Sequence, residues 1–460
     1  MTLDEVLAKS YPGENLVEHT QSVLKVWNKL RERYSVVLKN DNFWRDSFYS
    51  VIFHDFGKIC DNFQDVISKR KASFNDERIR HEFLSGMFLL SVNSGYYIKN
   101  PLSLVAIFSH HKPFNDSGGF NDHISQNRQL TLSINQNLID EFIAFSKQAA
   151  ISYKIEDFHV DEKLKYYLLN EYSFLEKQYR KQFYEKVINK DKIHHNMRKE
   201  YILFKALLNI SDWTASALEN RELEQVITYS HNYLKEKILN KLVKDGKIEI
   251  AKSFHFKKFQ IESENKINVI AIAPTGSGKT EAALLWASQK KDWERIIYLL
   301  PTRVTSNAIF NRLKEYFNFE TVALIHSTAR FFQKELDDNY DQNKYFRDKS
   351  FFKNINVCTV DQILTQGFNL GFWEVKTFHL LRAKIIIDEI HLYSPYTLGL
   401  IVASIKYLKE EFDAQFYIMT ATMPTKLLNL LCDIIKGVVI IRDTELINAS
   451  RNAFEIRERK

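Results

Sequence analysis

The chain has 460 residues, 45% of them hydrophobic, which is enough for about three average domains with large buried cores. Lys and Arg outnumber Asp and Glu by 64 to 57, and the formal charge of +7 favours an anionic partner only mildly. Cys60, Cys358 and Cys432 lie far apart with no CxxC spacing, which argues against a disulfide framework or a thiolate zinc site and fits a reducing cytosol.

The N-terminus MTLDEVLAKSYPGENL lacks a basic start followed by an apolar core, and the longest apolar runs, such as GVVII before Arg442, are strand-sized. A cytoplasmic protein with no membrane segment is therefore expected. Up to about residue 225 the apolar residues recur at helical spacing, as in LVEHTQSVLKVWNKL and PLSLVAIFSHH, which predicts an all-α domain over 1–225. Charged, aromatic stretches between about 115 and 200, such as FLEKQYRKQFYEKVINKDK, read as amphipathic helices on its outside.

This region also carries His19, His54, Asp55, His81, His110, His111 and Asp212. With 14 histidines in the chain and a further doublet at His194 and His195, each element alone is ordinary. Together they place imidazole and carboxylate ligands on separate helical segments, with Asp55 able to bridge two cations. Such a pair, about 3.5–4 Å apart, lowers the pKa of a bound water and clamps the oxygens of a phosphodiester. The competing reading is a set of satisfied core histidines. His123, His159, His194, His195 and His231 lie outside these contexts and read as surface or structural residues.

Residues 226–254, rich in Lys and Glu, read as a linker and helical connector. From about Asn268, short β-branched runs alternate with helical patterns: NVIAIAP, RIIYLLP, INVCTV, AKIIIDE, QFYIMTA. That alternation predicts a mainly parallel sheet with crossover helices over 255–445. The segment FFQKELDDNYDQNKYFRDKS is polar enough to be expected as an exposed, mobile loop. Ala273-Pro-Thr-Gly-Ser-Gly-Lys-Thr280 follows an apolar strand and opens a helix, the context of a phosphate-binding loop. Gly276 and Gly278 let the backbone around Ser277 curl N–H groups onto phosphate oxygens. Lys279 reaches the β- and γ-phosphates, and Thr280 offers a hydroxyl to magnesium. Asp388 and Glu389 close the run AKIIIDEIH, with Asp388 expected on the magnesium and Glu389 polarising the attacking water.

The further motifs resemble the first lobe of superfamily-2 DExH helicases, a RecA-like P-loop fold. The resemblance implies DNA contacts from Thr302 and Arg303 in LLPTRVTSN, and from Thr359, Asp361 and Gln362 in TVDQIL, with HST at 326–328 as another strand-tracking motif. Thr420 and Thr422 in IMTATMP would couple hydrolysis to movement. Gln260 either reads adenine or is a surface residue. A helicase motor needs a second RecA-like lobe with arginine fingers, and 446–460 reads as a tail leading toward one. ATP with magnesium is accordingly expected to bind, with negligible DNA-stimulated turnover unless such a lobe is supplied elsewhere.

The contexts FHDFGK at 53–58, RHEFLSG at 80–86, SHHK at 109–112 and SDWTAS at 211–216 resemble the HD phosphohydrolase superfamily. That resemblance implies one divalent transition metal on His19, His54, Asp55 and Asp212, and a second on Asp55, His81, His110 and His111. Manganese, iron, cobalt, nickel and zinc all suit such ligands. Lys58 would steady the scissile phosphate beside Asp55, or be a solvated lysine. The fusion of both motif sets resembles the CRISPR-associated nuclease-helicases of type I systems. It implies ATP-fuelled translocation on single-stranded DNA, cleavage at the HD site and recruitment by a crRNA-guided surveillance complex. Two other readings are an HD nucleotide phosphohydrolase with a regulatory NTP-binding lobe, and a non-catalytic assembly fragment.

Overall fold

The computed structural model describes residues 2–10, 13–68, 81–93, 96–111, 134–162, 195–217, 223, 228–288, 294–318, 320–337 and 340–444. Its backbone divides into two compact units: Met1–Leu223 with Asn369–Phe378, and Glu224–Phe368 with His379–Lys460. The stretch FLEKQYRKQFYEKVINKDK, with His123 and His194, lies outside the described residues.

The first unit is helical, with one addition the periodicity did not show: a short antiparallel hairpin of β1 (Leu7–Ser10) and β2 (Gly13–Asn15) precedes the first long helix. Strands this short leave too few alternations to register as a pattern. The Asn15 side chain then accepts a hydrogen bond from the Glu18 amide and starts the helix Leu16–Tyr34. Its buried face carries His19, Val23, Trp27, Leu30 and Tyr34, and each large apolar side chain there contributes about 1.5–3 kcal/mol by leaving water. Helices His81–Leu90 and Leu102–Ser109 are buried on every side, as their unbroken apolar composition requires. Two glycines permit the close packing. A Cβ on Gly57 would lie 2.2 Å from the His81 carbonyl oxygen, and one on Gly86 would lie 2.4 Å from the Phe108 ring.

Segment 369–378 packs within this first unit although its chain neighbours on both sides belong to the second. Glu374 and Lys205 are fully buried and form an ion pair at 2.8 Å. The Tyr201 hydroxyl donates to the same Glu374 oxygen at 3.0 Å and lies 3.1 Å from the Ser109 hydroxyl. Burial depresses the Lys205 pKa, and Glu374 beside it opposes that depression.

The second unit is built on seven strands, all parallel: β3 (Val269–Ile272), β4 (Ile296–Leu300), β5 (Val322–Ile325), β6 (Ile355–Thr359), β7 (Lys384–Asp388), β8 (Gln415–Thr420) and β9 (Val439–Arg442). Their spatial order is β5-β6-β4-β7-β8-β3-β9. Strands β3 to β6 are buried at every position, which is why they read as continuous apolar runs. Strand β8 separates β3 from β7, so the phosphate loop, the acidic pair and Thr420 emerge side by side at one sheet edge.

Helix His231–Lys244, in the stretch read as connector, buries Leu234 and Ile238 in this unit's core with Tyr229, Phe256 and Trp286. The segment expected as a mobile loop instead contains helices Ala329–Leu336 and Gln342–Lys349. The Asp341 carboxylate caps the second helix, and Tyr340 bridges Gln333 and Asp348 at 3.0 and 2.9 Å. Local capping and these tertiary bonds outweigh the low hydrophobicity. Among the described residues no helix is long and apolar enough to cross a membrane.

Candidate functional site

In the first unit, segments far apart in sequence converge on Asp55. His19 projects from the first long helix, His54 caps the end of Asp41–Phe53, and Asp55 leads into the 3₁₀ turn Phe56–Ile59. His81 opens its helix, His110 and His111 follow Leu102–Ser109, and Asp212 lies near the end of His195–Ser216. Asp55 Oδ2 lies 3.4 Å from both His19 Nε2 and His54 Nε2, while Oδ1 lies 3.2 Å from His81 Nε2. Its two oxygens thus face two separate groups. In one, ligand atoms of His19, His54 and Asp212 lie within 4.8 Å of one another; in the other, so do those of Asp55, His81, His110 and His111.

The His54 and His110 rings have Nδ1 at 2.6 and 2.7 Å from the Val51 and Ile107 carbonyls, three residues earlier. Nε2 of His54, Nε2 of His110, both ring nitrogens of His19 and Oδ1 of Asp55 are buried without a hydrogen bond. Buried polar atoms left open in this way cost about 1–3 kcal/mol each, and here they all border one cluster. His111 Nε2 comes within 3.0 Å of His81 Nε2, an approach of two like atoms that a shared cation would satisfy.

Burial, followed by the imidazole of His111, pushes His110 well below the ordinary range, and burial with His81 beside it lowers His111 to about 4. Burial lowers His54 too. Burial alone would raise Asp55 and Asp212, but the histidines around both, with Lys58 beside Asp55, hold the two carboxyls below their usual range. His19 differs, since burial would lower it but the carboxylates of Asp212 and Glu14 raise it. Neutral imidazoles and ionised carboxylates are the states that ligate divalent cations, so His54, His110, His111 and the two aspartates fit a metal pair as they stand, and His19 joins them by giving up its proton. Lys58 is buried, with Nζ 2.6 Å from Asp55 Oδ2, and so is not a solvated lysine.

The sequence reading missed Glu14. Its carboxylate is buried on β2, 3.4 Å from His19 Nδ1, and is lowered to about 2 by His19 and Lys9 against the effect of burial. Only its position five residues ahead of His19 could have signalled it.

In the second unit, Gly276 and Gly278 adopt φ of 76° and 94°, left-handed values open to glycine at little cost. A Cβ on Gly278 would lie 2.4 Å from Gln260 Nε2. Helix Lys279–Trp286 begins directly after the loop, and Ser277 and Thr280 are buried there. Lys279 Nζ donates to Glu389 Oε1 at 2.7 Å, and Glu389 Oε2 accepts from the Ala421 amide at 3.2 Å. Glu389 therefore links the phosphate loop to the Thr420–Thr422 turn, from a backbone φ of 48° that is strained for a residue with a side chain. Asp388 lies 3.4 Å from the Tyr298 hydroxyl and has a buried, unbonded Oδ1. Burial, then the charge of Glu389, raises its pKa to about 6.

Gln260 is not a surface residue: it is buried, accepts from the Lys257 amide at 2.8 Å and donates to the Gly278 carbonyl at 2.9 Å. His391, not singled out in the sequence, places Nδ1 2.6 Å from Thr420 Oγ1; its place two residues past the acidic pair was the available signal. The Thr420 hydroxyl in turn donates to the Thr422 carbonyl at 2.7 Å. Thr302 and Arg303 are exposed after β4, and Asp361 is exposed after β6 with Gln362 half-buried beside it, whereas Thr359 is buried. Strands β4 and β6 are neighbours, so these residues share one edge of the sheet.

The DEAD/DEAH box helicase family profile matches residues 257–430. A Methanocaldococcus jannaschii protein assigned by name to the CRISPR-associated nuclease/helicase Cas3 proteins is 30% identical over 431 residues, 86% of this chain and 56% of that one. The CRISPR-associated endonuclease/helicase Cas3 of Escherichia coli K12 is 29% identical over 177 residues, 34% of this chain and 20% of that protein. Among solved structures, T. fusca Cas3 shares the fold with a TM-score of 0.55 at 19% identity, over 94% of this chain and 51% of that one. The chain spans about half the length of the Methanocaldococcus jannaschii and T. fusca proteins. Two motif sets in one order, their fold and these likenesses lead to one conclusion: the chain is similar to Cas3 nuclease/helicases, and its residues 257–430 match the DEAD/DEAH box helicase family.

Proposed function

We propose that the first unit is a metal-dependent nuclease that cuts single-stranded DNA, and that the second binds ATP with magnesium as the first lobe of a DNA translocase. The observation that carries this is Asp55, whose two oxygens face two histidine groups with open, buried ligand atoms. A bound pair of divalent transition metals would supply an activated water and charge for the transition state of phosphodiester cleavage. Asp55 holds Lys58 within the cluster, where its ammonium meets a non-bridging phosphate oxygen. His54, His110 and His111, held neutral by burial, do not repel cations, and the two carboxylates limit the net positive charge once ions are bound. Recruitment to displaced DNA by a crRNA-guided surveillance complex completes the reading, in keeping with the CRISPR-associated names of the relatives.

The test is incubation of the purified chain with circular single-stranded DNA and Mn²⁺, Co²⁺ or Ni²⁺. Degradation that stops on chelation is expected. Faster hydrolysis of mononucleotides than of DNA would favour a nucleotide phosphohydrolase, and no hydrolysis with any ion would leave only an assembly role.

At the nucleotide site, Lys279 and Glu389 are paired with each other in this structure; bound ATP draws Lys279 onto its phosphates and frees Glu389 to orient water. Asp388 would hold the magnesium in its ionised form. Because its pKa is raised to about 6, magnesium–nucleotide affinity is expected to fall as pH drops through that value. Between pH 7 and pH 5 the loss is about tenfold, one pKa unit corresponding to a factor of ten. The same shift favours the fold of the empty lobe below the ordinary aspartate range and is lost as pH rises through about 6. Calorimetric titration at both pH values, with Asp388→Asn as the comparison, measures this: the variant should bind weakly and lose the Asp388 contribution. An equal pH response in the two proteins would remove Asp388 from the magnesium site.

A further inference from the structure

We propose that Glu14 is a positioning residue of the metal centre: from the N-terminal hairpin its carboxylate holds the His19 ring so that Nε2 is the nitrogen offered to a divalent cation. This rests on the metal-centre reading above. His54 and His110 each have Nδ1 engaged by a backbone carbonyl, at 2.6 and 2.7 Å, leaving Nε2 open. His19 lacks that device, because no hydrogen bond reaches either of its ring nitrogens. The group standing behind its Nδ1 is Glu14 Oε2, at 3.4 Å. On the other side of the ring, Nε2 lies 3.2 Å from Asp212 Oδ1 and 3.4 Å from Asp55 Oδ2. A ring closing on Glu14 by a few tenths of an ångström forms the charge-assisted Nδ1–H bond. A carboxylate accepting there selects the tautomer and raises the basicity of the opposite nitrogen.

Glu14 is itself anchored. Lys9 Nζ donates to Glu14 Oε2 at 3.1 Å and to Ser216 Oγ at 2.8 Å, and the Ser216 hydroxyl donates to Asp212 Oδ1 at 3.0 Å. A run of hydrogen bonds therefore links Glu14 through Lys9 and Ser216 to Asp212, and His19 lies between its two ends, 3.4 Å from Glu14 and 3.2 Å from Asp212. It ties two ligands, drawn from opposite ends of the first unit's sequence, to one short hairpin. The hairpin is the supporting shell for the ion between His19, His54 and Asp212, whereas His81, His110 and His111 belong to the other ligand group.

The test titrates the full chain with Mn²⁺ by calorimetry, comparing it with Glu14→Ala and Glu14→Gln. The unaltered protein is expected to take up two ions. Glu14→Ala should bind one of them about 10–100-fold more weakly, the loss common for outer partners of metal-ligating histidines, and keep its affinity for the other. Glu14→Gln, whose amide oxygen still accepts from Nδ1–H, should recover most of the loss. A second readout needs no variant: in the zinc-loaded chain labelled with ¹⁵N-histidine, His19 should carry the metal on Nε2 and a proton on Nδ1. Unchanged uptake by a folded Glu14→Ala chain, or zinc on His19 Nδ1, overturns the assignment and leaves the metal centre standing. Absence of any uptake by the unaltered protein overturns the metal centre, and the role of Glu14 with it.

Discussion

Replacing Asp55 with alanine is expected to weaken both metal ions together and to abolish DNA cleavage. The expectation follows from Asp55 facing His19 and His54 through one oxygen and His81 through the other. Loss of an outer partner of a ligand commonly costs about 10–100-fold in affinity, so losing a shared ligand should cost more than ~100-fold at each site. The substitution also removes the buried partner of Lys58, which leaves an ammonium among the remaining imidazoles and opposes the entry of cations. Calorimetry with Mn²⁺ and a cleavage assay on circular single-stranded DNA measure the two effects on one preparation. Survival of a full-affinity ion would mean that Asp55 does not bridge, and that the two histidine groups act separately.

Breaking the Lys205–Glu374 pair should be the largest stability effect in the first unit. Both side chains are fully buried, so Lys205→Met or Glu374→Gln leaves an opposing charge without its partner and costs about 3–5 kcal/mol. For a unit of this size that is a fall in Tm of roughly 6–20 °C. Combining Lys205→Met with Glu374→Leu removes both charges, and most of the loss should return. Differential scanning calorimetry of the three variants decides it, and a single-variant loss below about 1 kcal/mol would contradict the desolvation argument. The pair also matters to the site, because Tyr201 joins Glu374 to Ser109, the residue before His110. Loosening segment 369–378 should therefore reach the helix end that carries His110 and His111.

The residue types at the two candidate sites, their order and the change from helical to strand periodicity are local properties, and they were legible in the amino-acid sequence alone. A glycine-rich turn between an apolar run and a helix, or an acidic pair closing a β-branched run, depends on dihedral preference and spacing that neighbouring residues specify. Three features depended on the fold. Which oxygen of Asp55 faces which histidine is set by helices that meet only when apolar faces of the first unit pack. Glu14 and Gln260 read as ordinary polar residues until tertiary structure buries them against His19 and the phosphate loop. Segment 369–378 lies, by sequence, inside the parallel-sheet region, yet it sits in the helical unit, where Phe378 packs on Tyr34 and the buried Glu374 meets the ammonium of Lys205. Periodicity reports which face of an element is buried; what that face is buried against is a property of the whole chain, since contacts distant in sequence leave no periodic trace.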